Sequence, residues 1–264
     1  AFSNQCDLVF APTSTMKDHL LEQGTKTRIS VLPTGLDRVS FQYDEMLSSE
    51  IRNMYGNGCP YLFATTARLE KEKNLDFLFQ GTARLRDILG QDFRLMVIGD
   101  GTERRHLEEL ARMLGISRQI VFTGKIENTR VRHYLNAADA FLFASKSETQ
   151  GIVLLEAMAA GCPVAAVRAS GVVDVVRQGI NGYMTEEAPE AFAAAAARLV
   201  LERGVWSGRS EEARKTAELY ESGRIAALAA EQYGLMTGQK EDAGYEEHGK
   251  GMLVPSILRL FKAA

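Results

Sequence analysis

Five short apolar runs, separated by stretches with helical periodicity, dominate the sequence from Tyr61 onward and leave few folds open. They lie at 61–67, 95–98, 120–122, 140–144 and 163–167 and read as buried strands. Between them, Leu75, Leu78, Phe79, Leu85 and Leu89 fall on one face of a helix. Leu107, Leu110, Ala111 and Leu114 do the same on another. Strands alternating with helices of this size imply a parallel sheet with helices on both faces. Right-handed crossovers then make it an α/β, Rossmann-like, doubly wound parallel sheet. Ligands of such sheets bind at the carboxyl ends of the strands, near the point where strand order reverses. The loops that follow each strand are therefore the places to look for chemistry.

The flanks read differently. Two apolar runs, 7–11 and 29–32, precede the main alternation. Pro12-Thr13-Ser14 breaks the first run, Ser14 is the expected N-cap of a helix reaching about Gln23, and Gly24 closes it. A two-stranded piece is barely stable alone, so residues 1–36 are expected to complete a sheet whose other strands lie elsewhere. Residues 37–60 read as a connector with a short helix. Three helices are expected after the last strand, at 190–202, 210–220 and 223–236, so the second domain runs over 37–238. Residues 239–264 read as a polar linker and a short apolar tail with two cations. The plain reading of that tail is a docking helix, and the sharper one is a helix lying in a membrane interface.

Composition narrows the partners. Of 264 residues, 31 are Lys or Arg and 34 are Asp or Glu, for a formal charge of −3, so no broad field for gripping nucleic acid exists. Cys6, Cys59 and Cys162 are odd in number and far apart. They form no disulfide framework, which fits a reducing cytosol. No apolar run approaches the roughly 20 residues of a membrane span.

Three loops carry chemistry. After the first main strand, Arg68 and Lys73 flank a strand-to-helix turn, and the helix starting near Asn74 would aim its N–H groups at the same point. An Arg fork and a Lys point charge suit a diphosphate. Taken alone, the loop reads as well or better as a solvated charged turn. After the second strand, Gly99-Asp-Gly101-Thr-Glu-Arg104 resembles a dinucleotide fingerprint but has Arg104 in the third glycine position and follows the wrong strand. Its glycines are expected to let a ligand approach the backbone. After the fourth strand, Glu148 and Glu156 stand eight positions apart, one before a helix and one inside it. Carboxylates of this kind suit sugar hydroxyls. The N–H groups from Thr149 through Gln150 and Gly151 to Ile152 would suit a phosphate. The plainer readings are an N-cap for Glu148 and an exposed helix residue for Glu156. Against the latter, Leu154, Leu155, Ala157 and Met158 surround Glu156 with apolar side chains.

The string SETQGIVLLEAMAAGCPV at 147–164 resembles the E-x7-E segment of retaining glycosyltransferases of the GT-B fold, family 4. Further blocks agree in order: PTGLD at 33–37, ARLEKEKN at 67–74, VIGDGTERRHLEEL at 97–110, VFTGKI at 121–126 and ASGVVDVVRQGINGY at 169–183. The likeness covers about residues 7–235. Gln150 departs from it, since the family usually has Phe there, and the ETQG form looks most like glucosyltransferases acting on diacylglycerol.

The resemblance implies catalytic roles for Arg68 and Lys73 on the donor diphosphate and for Glu148 beside the transferred hexose. It implies that Glu156 holds the ribose, and that Thr149, Gln150, Gly151 and Ile152 contact sugar and phosphate through the backbone. It also implies that Lys125 and Ile126 read the base and that Gly99 and Gly101 border the nucleotide. No metal or cofactor is implied. The implied donor is a nucleotide sugar, with UDP-glucose preferred over a GDP-sugar. The acceptor, a lipid or glycan, would be bound by an N-terminal domain of which residues 1–36 are the remnant, and the chain is expected to be inactive by itself. The implied setting is cytoplasmic, with room for peripheral contact on the inner face of the membrane. Two alternatives stay open: a nucleotide-sugar epimerase of similar fold, and a non-catalytic nucleotide-binding module.

Overall fold

The computed structural model describes residues 2–237, which fall into two units. After a short 3-10 helix (Phe2–Gln5) come strand β1 (Val9–Ala11), helix α1 (Ser14–Glu22) and strand β2 (Ile29–Val31). The two strands pair in parallel, with Val9 opposite Ile29. Thr13, not Ser14, caps α1: its hydroxyl accepts from the Met16 amide at 3.1 Å, and Ser14 is already helical. Both residues are good caps, and the extended backbone of Thr13 decides between them.

The second unit begins at Leu36 and ends at Glu218. Its first helix, α2 (Glu45–Gly56), is longer than a connector would hold. Asp44 caps it by accepting from the Leu47 amide at 3.0 Å, and Asn57, at φ +50°, ends it. There follow β3 (Tyr61–Thr66), α3 (Leu75–Leu89), β4 (Phe93–Ile98), α4 (Arg104–Met113), β5 (Ile120–Gly124), α5 (Asn128–Asn136) and β6 (Ala140–Phe143). The unit continues through α6 (Ile152–Ala159), β7 (Val164–Val167), α7 (Ser170–Val173), β8 (Gly182–Thr185), α8 (Pro189–Leu201) and α9 (Arg203–Glu218).

All six strands of this unit are parallel, in the order β5-β4-β3-β6-β7-β8. This is the doubly wound arrangement, with its reversal between β3 and β6. Helices α3, α4 and α8 cover one face over Phe63, Leu95, Val97, Leu142 and Val167. Helices α2, α5, α6 and α9 form the other layer. Burial on both faces explains why β6 and β7 are apolar throughout. Strand β8 escapes sequence reading because, as GYMT, it starts with a glycine and lacks the unbroken apolar run of β6 and β7. A side chain on Gly182 would strike the Val164 carbonyl oxygen of the neighbouring strand.

Helix α10 (Ser222–Thr237) belongs to the first unit, not the second. Its Gln232 Oε1 accepts from Arg28 Nη2 and Ser30 Oγ, both at 3.2 Å. The rings of Phe10 and Tyr233 meet edge to face at 5.7 Å. The two strands expected to lack partners thus pack on a helix about 200 positions later in the chain. The boundaries read from the sequence, 1–36 and 37–238, differ from the observed division in this respect. The linker and tail at 239–264 lie outside the described residues. Among the described residues no helix is long and apolar enough to cross a membrane.

The turns after β3 and β4 are locked together. The Leu69 amide donates to the Asp100 carbonyl at 3.0 Å, and the Glu103 amide donates to the Leu69 carbonyl at 2.9 Å. Gly99 sits at φ +133°, and a Cβ there would land on the Ala67 carbonyl. Replacing Gly99 by Ala is therefore expected to cost about 2 kcal/mol or more. Gly58, at φ +76° with open space around it, supplies the control. Its Ala variant is expected to lose only the backbone-strain part, about 1 kcal/mol, and urea unfolding of the two variants measures the difference.

Candidate functional site

A cavity of about 560 Å³ opens at the carboxyl end of the sheet, where the strand order reverses. Its walls come from the end of β3 and from the loops after β3, β4, β5 and β6. Three helices start on it, since Leu75, Asn128 and Ile152 are the first residues of α3, α5 and α6 and all line the cavity. Each start presents unpaired N–H groups and the positive end of a helix dipole. The lining also carries three cations, Arg68, Lys73 and Lys125, against two carboxylates, Asp100 and Glu148. Such a hollow favours an anion.

Lys73 and Glu148 meet across the reversal point. Lys73 Nζ lies 2.6 Å from Glu148 Oε1, and each side chain is 19% exposed. One comes from the β3 loop and the other from the β6 loop, 75 positions apart. Arg68 is different: its side chain is 75% exposed and, among the described residues, pairs only with Glu72, at 3.2 Å. Surface pairs of that kind contribute at most about 1 kcal/mol, so the Arg68 fork is free to turn toward a ligand.

The backbone of Glu148 is pinned from α7. Ser170 Oγ and the Gly171 amide both donate to the Glu148 carbonyl, at 2.9 and 3.1 Å. A Cβ on Gly171 would meet that carbonyl at 2.9 Å and the Gln150 backbone at 3.0 Å. Gly151 stands at φ +70° and begins α6 without a side-chain cap. The segment at 169–171, whose pattern carries no charge, thus fixes where Glu148 stands.

Glu156 lies off the main cavity. It opens on a small neighbouring one of about 30 Å³, and Asn128 and Val131 line both. Burial alone pushes its carboxyl above the usual carboxylate range. No hydrogen bond or ion pair to it is found among the described residues. Nearby, Arg132 Nε is buried without a partner. A partly buried acid with no partner is an acceptor in want of donors.

The other expected residues divide. Gly99, Lys125, Ile126 and Ile152 line the main cavity, whereas Gly101, Thr149, Gln150 and Gly151 do not. A Cβ on Gly101 would crowd the Leu69 backbone, so this glycine serves the contact between two loops rather than the approach of a ligand. Gln150 is buried, and Thr149 is exposed. The hydroxyls of Thr66 and Ser145, both at the cavity, are buried and lack partners. Sequence reading passed over them, although polar residues closing an apolar strand at its carboxyl end are the available signal. No cluster of three His, Cys, Asp or Glu suited to a metal occurs among the described residues. Cys162 is buried and its thiol is pushed up to about 12, which leaves it inert.

Fold and site together define a nucleotide-type α/β domain with an anion hollow at its switch point. The chain belongs to the glycosyl transferases of group 1, whose family pattern matches residues 50–219. It is 34% identical over 172 residues to the alpha-monoglucosyldiacylglycerol synthase of Streptococcus pneumoniae, covering 62% of this chain and 38% of that protein. It is 31% identical over 185 residues to the sulfoquinovosyl transferase SQD2 of Arabidopsis thaliana, covering 67% and 34%. The matched part is less than half the length of either relative. In fold it is similar to the Anabaena protein HepE bound to UDP-glucose, with a TM-score of 0.79 at 20% identity, over 88% of this chain and 65% of that one. The Rossmann-like reading thus holds, and the unit is a domain of the GT-B type.

The state of Glu156 makes a prediction. Because its carboxyl is raised in the folded protein, the associated stability is full below the unfolded-state value and declines as pH rises through the folded one. Glu156→Gln removes that loss, so the variant is expected to melt higher than the parent at pH 7 and to match it more closely near pH 4. Thermal unfolding at the two pH values reads this directly; a variant that melts lower at pH 7 contradicts it.

Proposed function

We propose that this chain carries the donor-binding half of a retaining glycosyltransferase, which moves a hexose from a nucleotide sugar to an acceptor hydroxyl. The observation that carries the reading is the Lys73–Glu148 pair, set at the mouth of a hollow onto which three helix starts open. Glucose on UDP is the preferred donor, since relatives and a fold neighbour are named for glucolipid synthesis and for bound UDP-glucose. A lipid hydroxyl is the preferred acceptor on the same ground.

In this reading a diphosphate enters the hollow and takes Lys73 from Glu148. The freed Glu148 carboxylate then accepts hydrogen bonds from sugar hydroxyls, and Arg68 turns in to bind the outer phosphate. Glu156 receives the ribose hydroxyls in the adjoining small cavity. As the bond between sugar and phosphate breaks, negative charge grows on the leaving diphosphate. Lys73, Arg68 and the helix starts oppose it. No side chain is assigned as nucleophile. The departing phosphate oxygen is the base that takes the proton of the incoming hydroxyl.

Calorimetry with UDP, UDP-glucose and GDP-mannose tests donor binding and base choice together. UDP and UDP-glucose are expected to bind, and GDP-mannose to bind more weakly. Loss of one charge-assisted contact is worth about 1.5–3 kcal/mol, so Lys73→Ala is expected to weaken UDP binding by roughly ten- to a hundredfold. In the intact enzyme, Arg68→Ala and Lys73→Ala are expected to lower turnover by roughly a hundredfold or more while the fold is retained. Unchanged turnover in both would sink the reading.

A further inference from the structure

The loops that bring Lys73 and Glu148 together are themselves tied by a third element. Asn74, next to Lys73, is one of two non-glycine residues with positive φ among the described residues, at +54°. It stands at the start of α3 but makes no side-chain cap. Its amide Nδ2 instead donates to the Ala144 carbonyl at the end of β6, at 3.3 Å, and to Glu187 Oε1 at 2.8 Å. Glu187 Oε2 accepts from Lys146 Nζ, on the β6 loop, at 2.8 Å. A further strut joins the same loops, with Ser147 Oγ donating to the Glu72 carbonyl at 3.4 Å.

Glu187 lies between β8 and α8, two strands beyond β6 in the sheet. It reaches this place because α8 packs along α3, where Arg84 and Glu190 are also paired, at 2.9 Å. Its carboxylate therefore has one oxygen on each of the two loops that flank the reversal point. It does not line the cavity, so it touches no ligand there.

We propose that Glu187 is a positioning residue: through Asn74 and Lys146 it holds the β3 and β6 loops at the spacing that presents Lys73 and Glu148 to the donor diphosphate. The diphosphate part rests on the function proposed above; the tie between the loops does not. Two forces separate the roles open to Glu187. As a bare negative charge near an anion site, its removal would tighten nucleotide binding. As a clamp, its removal would let Lys73 drift and weaken binding, since small displacements of a binding group are costly.

The test compares the parent chain with Glu187→Ala, Glu187→Asp and Asn74→Gly. The last keeps positive φ accessible while deleting the amide, so it serves where Glu187→Ala fails to fold. Amide hydrogen exchange without ligand, followed over residues 144–151 and 71–75, is expected to rise several-fold in Glu187→Ala and Asn74→Gly. Calorimetric UDP binding is expected to weaken roughly tenfold in both, with partial recovery in Glu187→Asp. The double variant should be little worse than the poorer single one, because both act through one contact. Unchanged exchange in both loops, or faster exchange with unchanged or tighter UDP binding, overturns the proposal. If the parent does not bind UDP, the donor reading fails by itself, and the exchange arm alone decides the clamp.

Discussion

The ion pair between Lys73 and Glu148 ties together the two loops on which the rest of the site depends. Neither side chain has full access to water, and such pairs recover little more than their desolvation cost. Stability is therefore a poor reason for the pair. In the function proposed above, its use lies in what can replace it. An entering diphosphate offers Lys73 a stronger partner than one carboxylate, and polyhydroxyl sugar offers Glu148 hydrogen bonds in return. In that reading both exchanges take place in one cavity, so each half of a nucleotide sugar would compensate for the contact the other half breaks.

Such an exchange needs a rigid frame. The structure supplies it by close backbone contacts made at glycines and by a few cross-loop bonds. Gly99 and Gly101 let the β4 turn press on the β3 turn, and Gly171 lets α7 press on the Glu148 turn. Two of the buried hydroxyls without partners, those of Thr66 and Ser145, line the cavity, and Glu156 stands at the small one beside it.

Much of this was legible in the residues. The period of the apolar runs specified the parallel sheet, because strands buried on both faces have no other economical connection than a helix. The pattern Arg68, Lys73 and Glu148 pointed to loops that the structure brings to one cavity, with Glu156 beside it. What escaped was governed by contacts distant in sequence. Helix α10 joins β1 and β2 through Tyr233 and Gln232, and its own periodicity is that of any amphipathic helix. Strand β8 is as short as β6 and β7 but, as GYMT, lacks their unbroken apolar run. Gly101 was read as a place for a ligand because a glycine's sequence neighbours do not reveal which backbone comes close. Nothing in the sequence around Glu187 marks its role, because its partners Asn74 and Lys146 lie 113 and 41 positions away.

A co-crystal structure with UDP tests the central claim most directly. The account predicts the nucleotide in the hollow between the β3 and β6 loops. Its β-phosphate should lie within hydrogen-bond distance, about 3 Å, of Lys73 Nζ, with the Lys73–Glu148 pair opened and the ribose hydroxyls on Glu156. Nucleotide bound at another surface, or bound in the hollow while Lys73 remains on Glu148 and Glu156 remains without a partner, would contradict it.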